Sequence, residues 1–197
     1  MPRLLRHVRT STETLSPGYF SMVMATGILS LAAHLMGLPH LAIGLFWLNW
    51  CLFVVIGALA LMHLYWHPKR VRDDLFNHLN APGFFTFVAA CSILASQSLL
   101  IGGNLPLAAL LGGIGLLAWV LFTYTIFTVL TVKQDKPELA RGINGGWLLA
   151  VVATQSMAVI AALISQHVDQ PLRMELNFFA LSMWLWGGML YIWMMSL

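Results

Sequence analysis

The sequence predicts an all-α protein, a polytopic bundle of transmembrane helices built from repeated helical hairpins. Three observations predict it. Of the 197 residues, 59% are hydrophobic and only 9% are charged, whereas soluble domains carry about 25% charged residues. The charges are confined, with no Asp, Glu, Lys or Arg in 14–68, 82–132, 142–168 or 176–197. A pattern of hairpin length also recurs three times along the chain.

A membrane helix needs about 20 apolar residues, and six stretches qualify, at about 17–38, 41–66, 82–101, 105–132, 145–166 and 176–197. Residues 1–16 form a basic leading segment, and 17–197 form one transmembrane domain. The first span is too long for a signal peptide, whose apolar region runs to roughly 7–15 residues, and the second span follows almost at once. The net charge of +3 does not mark a nucleic-acid surface, because the basic residues are sorted by loop. Arg3, Arg6 and Arg9 precede the first span, Lys69, Arg70 and Arg72 follow the second, and Lys133, Lys136 and Arg141 follow the fourth. The other linkers hold only Arg173. The positive-inside rule then places the N-terminus and both basic loops in the cytoplasm, with 37–40, 102–106 and 167–175 outside; the expected location is the cytoplasmic (inner) membrane. Cys51 and Cys91 both fall mid-span with no CxxC, which suits small packed hydrophobes.

The repeat appears when the odd-numbered spans are aligned at their starts: PGYFSMVMATGILS (17–30), PGFFTFVAACSILA (82–95) and GGWLLAVVATQSMA (145–158). Gly18, Gly83 and Gly146 are each followed by an aromatic residue: Tyr19, Phe84 and Trp147. Val23, Val88 and Val151 share a column, as do Ala25, Ala90 and Ala153, and then Thr26, Cys91 and Thr154. The unit is one helical hairpin, repeated at about 17–66, 82–132 and 145–197.

The two helices of each unit differ in composition. Even spans are bulkier and carry Trp47, Trp50, Trp66, Trp119, Trp184, Trp186 and Trp193, as aromatic anchoring and lipid contact require. Odd spans concentrate small polar groups, among them Ser21, Thr26, Ser30, Thr86, Ser92, Ser96, Gln97, Thr154, Gln155 and Ser156. The odd spans are therefore expected to be the inner helices. Two readings of their polar groups stay open: close helix packing, or a narrow aqueous path lined by hydroxyls and amides. Thr26, Ser30 and His34 share a face at i, i+4, i+8, and Ser92 and Ser96 share another.

No carboxylate lies inside a span, whereas proton-coupled carriers usually hold titratable groups there. Cation paths use acidic rings or backbone carbonyls. An uncharged path with a basic rim, fed by helix N-termini at Gly18, Gly83 and Gly146, favours anions. His34 and His63 do not form a haem pair, since their depths differ by roughly 20 Å at 1.5 Å per residue. His63 and His67 share a face at i, i+4 with His78 nearby, but an interfacial histidine with a wet tip is the preferred reading. No metal site, cofactor or enzyme motif is expected, and nothing resembles HExxH, a phosphate loop or a nucleophile elbow.

The stretches SPGYFSMVMATGILSLAAHLMG (16–37) and INGGWLLAVVATQSMAVIAAL (143–163) resemble the tellurite-resistance/dicarboxylate transporter family, which includes the slow anion channels of plants. The resemblance implies ten helices in five hairpins, inner helices around a central pore, a phenylalanine gate on the ninth helix, and assembly as a homo-oligomer, often a trimer. It implies passage of small anions of the dicarboxylate, sulfite, chloride or tellurite class. Carried over by helix position, Thr26, Gly27, Ser30, Cys91, Ser92, Thr154 and Gln155 become the pore-lining residues. The sequence holds six spans to Leu197, about four fewer than the resemblance implies. The alternative expectation is a shortened, non-conducting protein or a subunit that needs a partner.

The orientation is open to direct measurement. Fluorescent-protein fusions after position 75 should fluoresce, and alkaline phosphatase fusions after position 103 should be active; the reverse pattern would invert the topology.

Overall fold

The computed structural model describes residues 16–132 and 144–196, and the described residues contain helices and turns but no strand. Among the described residues six helices are long and apolar enough to cross a membrane. The first hairpin pairs α1 (Ser21–Leu35) with α2 (Pro39–Trp66). A short amphipathic α3 (Pro68–Leu75) leads to the second hairpin, α4 (Phe85–Leu100) and α5 (Leu105–Val132). The third pairs α6 (Leu148–Ser165) with α7 (Leu172–Ser196). Arg3, Arg6 and Arg9, and likewise Lys133, Lys136 and Arg141, lie outside the described residues.

Local sequence explains the ends. α1 stops at Leu35 because Gly37 takes the left-handed conformation (φ 74°), and Gly103 (φ 62°) does the same after α4, as at many helix C-termini. Pro39 and Pro68 open α2 and α3 at a position where the missing N–H costs nothing. Two boundaries differ from expectation. The stretch after span two, expected as a basic loop, coils into α3 around Lys69, Arg70 and Arg72. The sixth span starts earlier than position 176, taking Arg173 and Glu175 into its exposed first turn.

Each hairpin packs tightly on itself, and the hairpins join through their odd-numbered spans. α4 packs against α1 on one side and α6 on the other, α1 and α6 barely touch, and the three form an open arc. α2, α5 and α7 stand behind it with little contact among themselves. Burial follows this arrangement. Within the apolar stretches, 78% of α4 is buried, 50% of α6 and 33% of α1, against 17%, 33% and 22% for α2, α5 and α7. α1, at the free end of the arc, is no more buried than α5.

α4 belongs to both hydrophobic cores. Phe85, Val88, Leu94, Ala95 and Leu99 join the cluster built with α5 and α6. Ala89, Ala90 and Ile93 join the cluster built with Phe20, Val23, Met24 and Ile56. From Phe85 to Leu99 only Phe87 is not fully buried. One tryptophan departs from the lipid-facing expectation: Trp119 on α5 is buried (7% exposed), whereas Trp47 and Trp184 are exposed.

Candidate functional site

The three repeated entries have one local structure and meet at one end of the bundle. Each odd span begins with a 3-10 turn: Pro17–Phe20, Ala81–Phe84 and Gly145–Trp147. Ser16 Oγ accepts a hydrogen bond from Gly18 N (3.3 Å), and Asn144 Oδ1 accepts one from Gly146 N (2.8 Å). Ser and Asn suit this capping position, and these two residues were the part of the motif that column matching missed. The second entry has Ala81 at that place, and Asn80 instead donates to Asp74 Oδ1 (2.7 Å).

Glycine lets the entries approach. A Cβ on Gly83 would lie 3.1 Å from Gly18 N and 3.2 Å from Pro17 Cβ. Thr86 Oγ1 lies 2.6 Å from Gly83 O and 3.1 Å from Pro17 O, joining the first and second entries. Pro82 sits beside Gly146 of the third. Tyr19 is exposed, Phe84 half-buried against Phe122, and Trp147 buried against Phe127. In the first entry the neighbouring Phe20 takes the inner place, edge-on to Phe87 at 5.0 Å. Three capped helix N-termini thus converge at this end, where the positive ends of their dipoles add up.

The mid-membrane residues named from the sequence all lie on the arc, but most of their side chains engage neighbouring helices. Ser30 is buried and donates to Ala42 O of α2 (2.8 Å). Gly27 faces α2 and α4 together, and a Cβ there would meet Ile93, Asn49 Nδ2 (2.8 Å) and Gln97 Oε1 (3.2 Å). Thr26 is half-buried. Cys91 and Ser92 are buried where Gly115 of α5 comes close to α4. Ser92 Oγ lies 2.9 Å from Val88 O and 3.1 Å from Met157 Sδ. Thr154 donates to Ala150 O (2.8 Å) and accepts from Trp119 Nε1 (2.9 Å). Gln155 Nε2 reaches Trp184 O (3.1 Å) across Gly187 of α7.

These contacts fix which way each inner helix faces. On α4, Ile93 and Gln97 meet α1 and Ser92 meets α6, and Ala89 and Ser96, between those two directions, are both buried. On α6, Met157 points to α4, Thr154 to α5 and Gln155 to α7, leaving Leu149 and Ser156 toward the inside of the arc. On α1, Gly27 points to α4 and Ser30 to α2, which leaves the exposed Ser21, Ala25 and Ile28 on that side.

Behind Gly27 lies the least expected feature. Asn49 of α2 and Gln97 of α4, each 0% exposed, form a side-chain hydrogen bond of 2.6 Å. Asn49 Oδ1 and Gln97 Nε2 have no further partner; reversing both amides leaves one bond and two unmet groups all the same. A single Asn within a 28-residue apolar helix was the available signal. Among the described residues no group of three or more His, Cys, Asp or Glu is placed to hold a metal ion.

Comparisons with known proteins bear on this arrangement. Residues 14–197 match the family described as voltage-dependent anion channel. An uncharacterized transporter of Methanocaldococcus jannaschii is 23% identical over 190 residues, which is 90% of this chain and 52% of that protein. The chain thus spans about half the length of the curated relative it matches. No solved structure matches.

The amide pair yields a thermodynamic test in detergent-solubilised protein. Asn49→Leu or Gln97→Leu alone should cost about 1–3 kcal/mol, by stranding the partner amide, while the double Leu variant should recover most of the loss. Gly27→Ala should cost about 1–3 kcal/mol by pushing the amides apart. Additive single effects in thermal unfolding would show that the pair is not coupled.

Proposed function

The chain belongs to the voltage-dependent anion channel family, and from that premise we propose that small anions cross the membrane along the inside of the arc formed by α1, α4 and α6. The observation that carries this reading is the convergence of the three capped helix entries at one end of the arc. The positive ends of their helix dipoles offer partial charge without a fixed cation, which attracts an anion and releases it again.

The proposed path keeps the odd-numbered helices and refines their faces. Ser21, Ala25 and Ile28 of α1 and Leu149 and Ser156 of α6 would border it, with the buried α4 as the spacer between them. Thr26, Gly27, Ser30, Cys91, Ser92, Thr154 and Gln155 would border it indirectly, by setting the helix spacing through the contacts described. A wall of small, neutral groups selects by width and field, so dicarboxylate, sulfite, chloride and tellurite-class anions all fall within the proposed substrate range. Mechanistically this is passive or weakly coupled permeation, with no covalent step and no cofactor.

Three inner helices form an open arc, so the path would be closed by further inner helices. We propose a homo-oligomer or a partner segment as their source, and the cytoplasmic membrane as the location. A second reading, a subunit that does not conduct alone, draws on the same open arc.

The test is anion flux in proteoliposomes containing chloride, sulfite, malate or succinate. Ala25→Trp and Ser156→Phe should each cut flux about tenfold by narrowing the path, while Thr154→Val should keep flux within about twofold. Folded protein with no flux of any of these anions would remove the transport proposal for this chain. Loss of flux in Thr154→Val, with Ala25→Trp unaffected, would move the path away from the proposed faces.

A further inference from the structure

The end of α2 carries a pair of histidines that neither the arc nor the proposed path uses. Ala42, Asn49, Ile56 and His63 recur every seven residues on the buried stripe of α2. His63 therefore turns inward, contrary to the wet-tipped reading of its sequence position. It is 6% exposed, and neither Nδ1 nor Nε2 has a hydrogen-bond partner. His67, four residues on at the helix C-cap, also has a buried, unpartnered Nε2. The backbone bond from His67 N to His63 O (2.8 Å) keeps the turn between them, and the ring centroids are 5.8 Å apart.

We propose that His63 and His67 form a two-histidine site for a borderline divalent transition-metal ion, for which Zn2+ is the probe. Neutral imidazole is a preferred ligand for Zn2+, Ni2+ and Cu2+. Two rings on successive helical turns at this separation suit a shared ion with metal–nitrogen bonds of about 2.0–2.1 Å. Three unpartnered ring nitrogens exceed what such a chelate needs, so either tautomer of His63 offers a lone pair. The pair supplies two ligands, and water or an anion fills the remaining positions. His67 is only half-buried, so the ion enters from the C-cap. Lys69, Arg70 and Arg72 of α3 oppose a cation, and Asp73 and Asp74 on the same helix offset part of that charge. A hard ion such as Mg2+ is excluded by the ligand type.

The experiment is Zn2+ titration of tag-free, detergent-solubilised protein by calorimetry, with thermal unfolding in parallel. Wild type should bind one Zn2+ per chain with a saturable heat and a raised unfolding temperature, and should ignore Mg2+. His67→Ala, at the half-buried helix end, and His63→Ala should each weaken binding about tenfold or more, because a single imidazole cannot chelate. His34→Ala and His167→Ala, at the other end of the bundle, should leave it unchanged. With Cu2+ in place of Zn2+, electron paramagnetic resonance should show coupling to two imidazole nitrogens. Absence of saturable Zn2+ binding in wild type, or unchanged affinity in His67→Ala, would overturn the proposal.

Discussion

The structure depends on the near-complete burial of α4. A helix enclosed by four others in a lipid-facing bundle can use neither water nor the headgroup region to satisfy its polar side chains, so each must find a partner within the protein. Ser92, Ser96 and Ser98 do so by donating to the carbonyl four residues back, a habit of serine in apolar helices. Thr86 turns to the helix entries, and Gln97 reaches across to Asn49. Small side chains then allow α1, α5 and α6 to close in, and the arc is the result.

Much of this was legible in the sequence. Six spans follow from hydropathy and from the confinement of charge, and the repeated Pro/Gly-aromatic entries coincide with 3-10 turns at the starts of the odd spans. The burial of α4 and α6 accords with their small residues, whereas α1 is no more buried than α5. The azimuth of the odd spans was not legible. Aligning Thr26, Cys91 and Thr154 in one column fixes a common depth, yet Thr154 bonds to Trp119 of α5 while Cys91 lies against Gly115 of the same helix. Spans apolar on every side carry almost no 3.6-residue signal, so facing direction is set by partners such as Trp119 and Gly187, which lie tens of residues away in the chain. Trp119 itself shows the limit: tryptophans on outer helices usually meet lipid, and its burial goes with the Thr154 hydroxyl and the Trp186 ring opposite.

The same residues therefore carry two kinds of information. Hydroxyls and amides that look like the lining of an aqueous path are, for Ser30, Thr154 and Gln155, clasps between helices. Family membership makes the chain anion-channel-like, and the proposed path lies one residue round the helix from one of those clasps, where Ser156 stands beside Gln155. Packing and permeation are then adjacent faces of one set of helices, with the clasps holding the spacing on which a neutral path depends. The clustered entries at Gly18, Gly83 and Gly146 tie both faces to the repeat.

The central claim is that α4 stands between α1 and α6, with Ser92 against Met157. Oxidative cross-linking in native membranes tests it most directly, using Ser92→Cys with Met157→Cys in a background of Cys51→Ser and Cys91→Ser. The structure predicts an intrachain disulfide for that pair and none for Ala25→Cys with Ser156→Cys, which sit on helices that barely touch. Cross-linking of the second pair but not the first would contradict the arc.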